Sequence, residues 1–166
     1  MNVLVVRLSA MGDVIHALPL AANLKRAGHR VGWAIEKPFA PLLDGNPSVD
    51  AVIEVQTRRW RRRAWRPESL VEIRAAGTAL RAFGADVVLD PQANEKSWAI
   101  ARFAKAPRIV LDDREVRGNW TRRLSALRVR PASGAGHVTD RVLALLAPLG
   151  IAASEPAPDA RYLLAV

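Results

Sequence analysis

Short apolar runs alternate along this chain with longer stretches of helical periodicity. Residues 3–6 form a continuous run rich in β-branched side chains, the pattern of a parallel strand buried on both faces. A loop over 8–13 follows, containing Ser9 and Gly12. Val14, Ala17, Leu18 and Ala21 then mark one face of a helix that runs to Ala27, with Gly28 as its terminator. Pro19 lies inside that stretch, and fits without a kink only if the first regular turn starts near His16. Runs at 31–35, 51–55, 86–89 and 108–111 predict four more strands. Helices are predicted over 67–83, opened by Pro67 and closed by Gly84, over 94–104, and over 137–149 with Gly150 as the cap. The residues before 137 read as an irregular basic stretch. Strands alternating with helices at this spacing predict an open, mostly parallel α/β sheet with helices on both faces.

The chain has 166 residues, enough for one domain with a substantial core. Half of them are apolar and a quarter charged, which excludes extensive disorder. The formal charge is +9, from 25 basic and 16 acidic residues. Such a surplus favours anionic partners: phosphates, carboxylates, nucleic acid or an acidic membrane face. Arginine far outnumbers lysine, which a GC-rich genome also produces, but base composition does not explain clustering. Without cysteine there is no disulfide or thiolate metal site. His16, His29 and His137 lack the close spacing of zinc ligands. The apolar stretch after Met1 ends at Arg7, which does not fit a signal peptide. No apolar run approaches the roughly 20 residues of a membrane span. The chain reads as soluble and cytoplasmic.

Ligands in open α/β sheets bind beyond the carboxyl ends of the strands, and four segments lie there. In Arg7-Leu8-Ser9-Ala10-Met11-Gly12-Asp13 neither a dinucleotide fingerprint nor a nucleotide-triphosphate loop is present. An acid stands instead where the loop enters the helix. Asp13 is either a plain N-cap, favoured by the helix dipole, or a general base able to take a proton from an acceptor hydroxyl. His16, about one turn on, is a second polar contact or an incidental surface histidine. The run Arg58-Arg59-Trp60-Arg61-Arg62-Arg63, followed by Trp65 and Arg66, is either solvated surface or a site for a multiply anionic ligand. Nucleic acid would use the same arginines, with indoles stacking on bases. Asp90-Pro91-Gln92 and Lys96-Ser97 stand at the end of the fourth strand, either as a turn with an exposed lysine or as ligand contacts. Arg114, Arg117, Asn119, Trp120, Arg122 and Arg123 make a fourth, basic loop.

Taken in order, these segments resemble the lipopolysaccharide heptosyltransferase family, its heptosyltransferase I branch in particular. The resemblance rests on Asn2-Val3-Leu4-Val5-Val6-Arg7 with Ser9, on Met11-Gly12-Asp13-Val14 with His16, Leu18 and Pro19, and on Arg58-Arg59-Trp60-Arg61. Asp90, Gln92, Lys96 and Ser97 recur in the same order, as do His137 and Arg141. It covers roughly residues 1–150. Ala93 departs from it, standing where a glycine is expected, so the backbone of that loop is expected to differ.

The resemblance implies a Rossmann-like, acceptor-binding amino-terminal half of a GT-B glycosyltransferase over 1–150. Residues 151–166 would be a linker and the start of a carboxyl-terminal donor-binding domain. It implies transfer of heptose, with inversion and without a metal or other cofactor, from ADP-L-glycero-D-manno-heptose to a Kdo residue of Kdo2-lipid A. Asp13 would be the base. Arg7, Ser9, Met11, Gly12, His16, Arg58, Arg59, Trp60, Arg61, Arg63, Gln92, Lys96, Arg117 and His137 would contact substrate. The partners implied are the anionic glycolipid acceptor, the ADP-sugar through the second domain, and the anionic inner face of the bacterial inner membrane, where the protein would sit peripherally. On that reading these residues fold but transfer little heptose alone. A nucleic-acid-binding module and a non-catalytic α/β scaffold are the competing readings. The spread of basic residues over several loops, on no recognised nucleic-acid module, counts against the former.

Overall fold

The computed structural model describes residues 1–113, 127–130 and 137–154. Six strands form one sheet: β1 (Asn2–Val6), β2 (Arg30–Glu36), β3 (Ala51–Val55), β4 (Val87–Asp90), β5 (Arg108–Asp112) and β6 (Leu127–Val129). Their order is β3-β2-β1-β4-β5-β6, and every pairing is parallel. The order reverses direction between β1 and β4, which opens a crevice at their carboxyl ends.

Strand period two sends alternate side chains to opposite faces, and both faces are covered. Val3, Val5, Val31, Trp33, Ile35, Val87 and Leu89 pack on one side with α1 (Met11–Arg26), α5 (Val138–Leu143) and the 3₁₀ turn that follows. Leu4, Val6, Ala34, Val88, Ile109 and Leu111 face the other side, against α3 (Pro67–Phe83) and α4 (Glu95–Phe103). Double coverage explains why the strands read as continuous apolar runs. At Gly32 the sheet meets Phe83: a Cβ there would lie 2.8 Å from the ring's Cζ.

Several boundaries differ from the sequence pattern for local reasons. α1 starts at Met11, not near His16, so Asp13 is the third helical residue and Ala10 the cap. Pro19 is accommodated inside a continuous helix. Asp86 lies just outside β4, where its carboxylate accepts the Asn2 N–H at 2.7 Å. The expected 137–149 helix divides into α5 and a 3₁₀ turn, Ala144–Leu149, and Pro148 has no N–H for a helical bond to residue 144. A 3₁₀ turn, Lys37–Leu43, and the short helix α2 (Thr57–Arg62) were not evident in the pattern. Neither was β6, a three-residue edge strand with no fully buried residue. Of the segment expected to be a linker, Ser154 is tied to α1: its N–H reaches Asn23 Oδ1 at 3.0 Å, and its carbonyl accepts from Asn23 Nδ2 at 2.8 Å.

Gly32→Ala is expected to destabilise the domain by about 1–3 kcal/mol, since Phe83 is buried and must move. Urea unfolding measures this, and an unchanged midpoint would show that the ring shifts freely.

Candidate functional site

The crevice between β1 and β4 is built around Arg7, whose side chain is only 8% exposed. β1 ends by directing this guanidinium under the loops. Its Nη1 donates to the Pro91 carbonyl at 2.9 Å, and its Nη2 pairs with Asp13 Oδ2 at 2.9 Å. Gln92 adds a second tie, accepting the Leu8 N–H at its Oε1 (2.9 Å). Arg7 and Gln92, expected from sequence to touch ligand, therefore use these side-chain groups to hold the walls of the crevice. Arg7 Nε is buried without a hydrogen-bond partner among the described residues.

Asp13 is half-exposed, at 44%. Its Oδ2 accepts from both Arg7 Nη2 and the Ala10 N–H, the latter at 3.2 Å. It is thus a reciprocal helix-start residue and not the N-cap itself. With one carboxylate oxygen held twice, the other has no donor among the described residues, an arrangement that suits a proton acceptor. Beside it lies a cavity of about 210 Å³, lined by Arg7, Asp13, Pro91, Asp112 and Arg141 among others. Met11 is exposed, and the space beside Gly12 is open enough that a Cβ would meet nothing within 4 Å. Ser9 lies in the intervening loop, part-buried. His16 and His137 come together across α1 and α5, with ring centroids 5.1 Å apart. The Thr139 hydroxyl lies 3.0 Å from His137 Nδ1 and 3.5 Å from His16 Nδ1. His137 also caps α5 by accepting the Thr139 N–H.

A second, larger cleft of about 710 Å³ is lined by Arg58, Arg59, Arg61, Arg62, Arg63 and Lys96. The arginines come from α2 and the residue after it, and the lysine from the first turn of α4, so distant segments build one cationic surface. α2 is fastened at its start by a short hydrogen bond from the Thr57 hydroxyl to the buried Glu36 carboxylate. Glu72 on α3 clamps it again, accepting Trp60 Nε1 at 3.0 Å and pairing with Arg59 Nη1 at 3.2 Å. Trp60, expected from sequence to contact a ligand, is 8% exposed, and its indole packs inward. The same burial removes it as a base-stacking platform. Arg117 and the other residues of the fourth basic loop lie outside the described residues.

Asp90, read from sequence as either a turn residue or a ligand contact, organises the loop between the two regions. It is fully buried. Its Oδ1 accepts the Gln92 and Ala93 N–H groups at 3.0 and 2.8 Å, and its Oδ2 the Ser97 hydroxyl at 2.8 Å. Ala93 is thereby held at φ 46°, in the left-handed region that favours glycine. Asn94 caps α4 by accepting the Lys96 and Ser97 N–H groups. Burial pushes the Asp90 carboxyl up to about 7, against the lowering pull of these hydrogen bonds and of Arg7.

Among the described residues no cluster of three or more His, Cys, Asp or Glu side chains could hold a metal ion. Nor is any described helix long and apolar enough to cross a membrane.

No family model matches the chain. It is 34% identical over 150 residues to lipopolysaccharide heptosyltransferase 1 of Pseudomonas aeruginosa, across 89% of this chain and 42% of that protein. It is 37% identical over 102 residues to the protein of that name in Escherichia coli, across 60% of this chain and 32% of that one. Its structure is similar to E. coli heptosyltransferase WaaC solved with ADP-2-deoxy-2-fluoro heptose, with a TM-score of 0.83 and 29% identity, over 96% of this chain and 52% of that chain. The fold is thus that of GT-B glycosyltransferases. The chain spans about half the length of these relatives or less.

The raised Asp90 value makes a stability prediction. Because the folded-state value lies above the ordinary 3.8, the stability linked to this carboxyl is complete below 3.8 and lost as pH rises through about 7. Asp90→Asn removes the titration while keeping an acceptor for the loop N–H groups. Between about pH 5 and pH 8 the wild type is expected to lose roughly 3 kcal/mol more than the variant. Parallel urea-unfolding profiles would contradict this.

Proposed function

Because the chain belongs to the lipopolysaccharide heptosyltransferase family, we propose that it supplies the acceptor-binding, base-bearing half of an inverting enzyme acting in inner-core synthesis. The donor is ADP-L-glycero-D-manno-heptose and the acceptor a Kdo residue of Kdo2-lipid A. The observation that carries this reading is Asp13. One of its oxygens is held by Arg7 and the Ala10 N–H, and its other oxygen is left without a donor among the described residues, at the carboxyl end of the sheet.

In the proposed step the acceptor hydroxyl attacks the anomeric carbon of heptose from the face opposite the leaving group. A new C–O bond forms as the bond to the ADP phosphate breaks. The hydroxyl proton passes to Asp13 Oδ1, and ADP departs with the bonding electron pair. A single displacement of this kind inverts the anomeric centre and is read here as independent of a metal. Arg58, Arg61, Arg63 and Lys96 hold acceptor carboxylates and phosphates, with Arg59 shared between ligand and Glu72. Guanidinium forks suit both anions, and fixing the acceptor beside the base supplies the proximity that a displacement needs. Met11, Gly12, Ser9, His16 and His137 border the acceptor's path to Asp13.

The E. coli relative was solved with an ADP-sugar analogue. In the proposed enzyme the nucleotide is held mainly by a carboxyl-terminal domain, in the part of the relatives' length that this chain does not span. Residues 151–166 lead toward it. The acceptor is a membrane lipid, which puts the enzyme at the inner face of the inner membrane.

Asp13→Asn in the full-length enzyme is expected to lower heptose transfer roughly 100-fold or more, with the fold and acceptor affinity kept. Turnover is followed by ADP release and the fold by circular dichroism. Undiminished turnover would reduce Asp13 to a helix-start residue.

A further inference from the structure

The corner where α2 meets α3 combines two properties that the acceptor reading does not require together. The segment 57–71 carries six arginines, at 58, 59, 61, 62, 63 and 66, and one acid, Glu68. It also presents three large apolar side chains to solvent: Trp65 at 76%, Leu70 at 49% and Val71 at 66% exposure. Single exposed apolar residues are ordinary on a protein surface; three within seven positions form a patch that asks for a partner. On α3 the inward face is marked by Ser69, Ala76, Leu80 and Phe83. Val71, two residues beyond Ser69, stands about 200° away on the outward face.

The same corner is held rigidly from below. Trp60 is turned inward and bonded to Glu72, and Arg59 pairs with the same carboxylate. Of the two tryptophans in the run, one therefore builds the core and the other is left outside. Trp65 is flanked by Arg63 and Arg66, both exposed. An indole beside guanidinium groups suits the boundary between lipid headgroups and acyl chains, where an aromatic body is buried and cations meet phosphates.

We infer that this corner is an interfacial membrane anchor. Trp65, Leu70 and Val71 enter the acyl boundary of an anionic bilayer, while Arg62 and Arg66, which the acceptor reading leaves unassigned, engage lipid phosphates. The inference deepens the acceptor reading and rests on it only in taking the acceptor to be a membrane lipid. Charge chooses the bilayer: each arginine near an anionic leaflet strengthens binding roughly fivefold. Insertion makes the attachment outlast screening of those charges by salt.

The test uses vesicles that contain no acceptor: phosphatidylcholine alone, phosphatidylcholine with phosphatidylglycerol, and the mixed vesicles with brominated acyl chains. The chain is expected to sediment with the anionic vesicles and not with the neutral ones. Brominated chains are expected to quench its tryptophan emission, and Trp65→Ser to abolish most of that quenching. Trp65→Ser combined with Leu70→Ser and Val71→Ser is expected to weaken binding at least tenfold and to remove what survives at high salt. All three side chains are exposed, so circular dichroism should not change.

Binding that ignores these substitutions and vanishes with salt would overturn insertion. Binding to single-stranded DNA with none to anionic vesicles would overturn the membrane surface altogether. If the vesicles are not bound while the full-length protein still transfers heptose to detergent-dispersed acceptor, the anchor falls and the acceptor reading stands. Trp65-dependent quenching in a full-length protein that transfers no heptose would leave the anchor in place and remove the acceptor reading.

Discussion

A buried guanidinium at the point where the sheet changes direction organises this molecule. A charge taken out of water must be paired, and losing one partner of such a pair costs several kcal/mol. Arg7 meets that demand with the Pro91 carbonyl after β4 and the Asp13 carboxylate on α1. One side chain thereby fixes three pieces of the fold relative to one another: the end of β1, the loop after β4 and the first turn of α1. Among the described residues its Nε is left without a partner, which at a buried site costs on the order of 1–3 kcal/mol. A neutral side chain of similar length would avoid that cost, but would leave Asp13 without its charged neighbour.

From this point the two halves of the site divide the work. The crevice holds a carboxylate in one orientation, while the arginine cleft gathers positive charge around a larger volume. The loop joining them, 90–97, is shaped from inside by Asp90, which ties down Gln92, Ala93 and Ser97 at once. Gln92 then reaches back to the Leu8 N–H, and Lys96 reaches forward to the arginines. The position of the cationic cleft thus depends on the same buried loop that borders the Asp13 crevice. Glu36 and Glu72 complete the arrangement by pinning α2, so its arginines project from a fixed helix.

Much of this was legible in the sequence, because parallel strands covered on both faces leave continuous apolar runs. The third strand and the helix over 67–83 were read with their observed limits, since Pro67 and Gly84 mark the helix ends chemically. The Met-Gly-Asp segment and the arginine run could be picked out by residue type and order. What was not legible depends on tertiary contacts. Trp60 and Trp65 look alike in a basic run, and only Glu72, twelve residues beyond Trp60, decides which one turns inward. Asp90 resembles any turn aspartate until its complete burial is seen. Nothing in the spacing of His16 and His137 announces that they meet, because α1 and α5 come together only by packing side by side on one face of the sheet. The edge strand β6 has three residues and no buried position, too little pattern to detect.

The central claim is that this chain presents an anionic-acceptor site, with the base beside it and the nucleotide held elsewhere. Calorimetric titration of the chain with a soluble Kdo2-lipid A analogue tests it most directly, with ADP and a short single-stranded oligonucleotide as comparison ligands. The expected result is glycolipid binding that weakens as salt is raised, with little binding of ADP. Preference for the oligonucleotide, or for ADP, would contradict it.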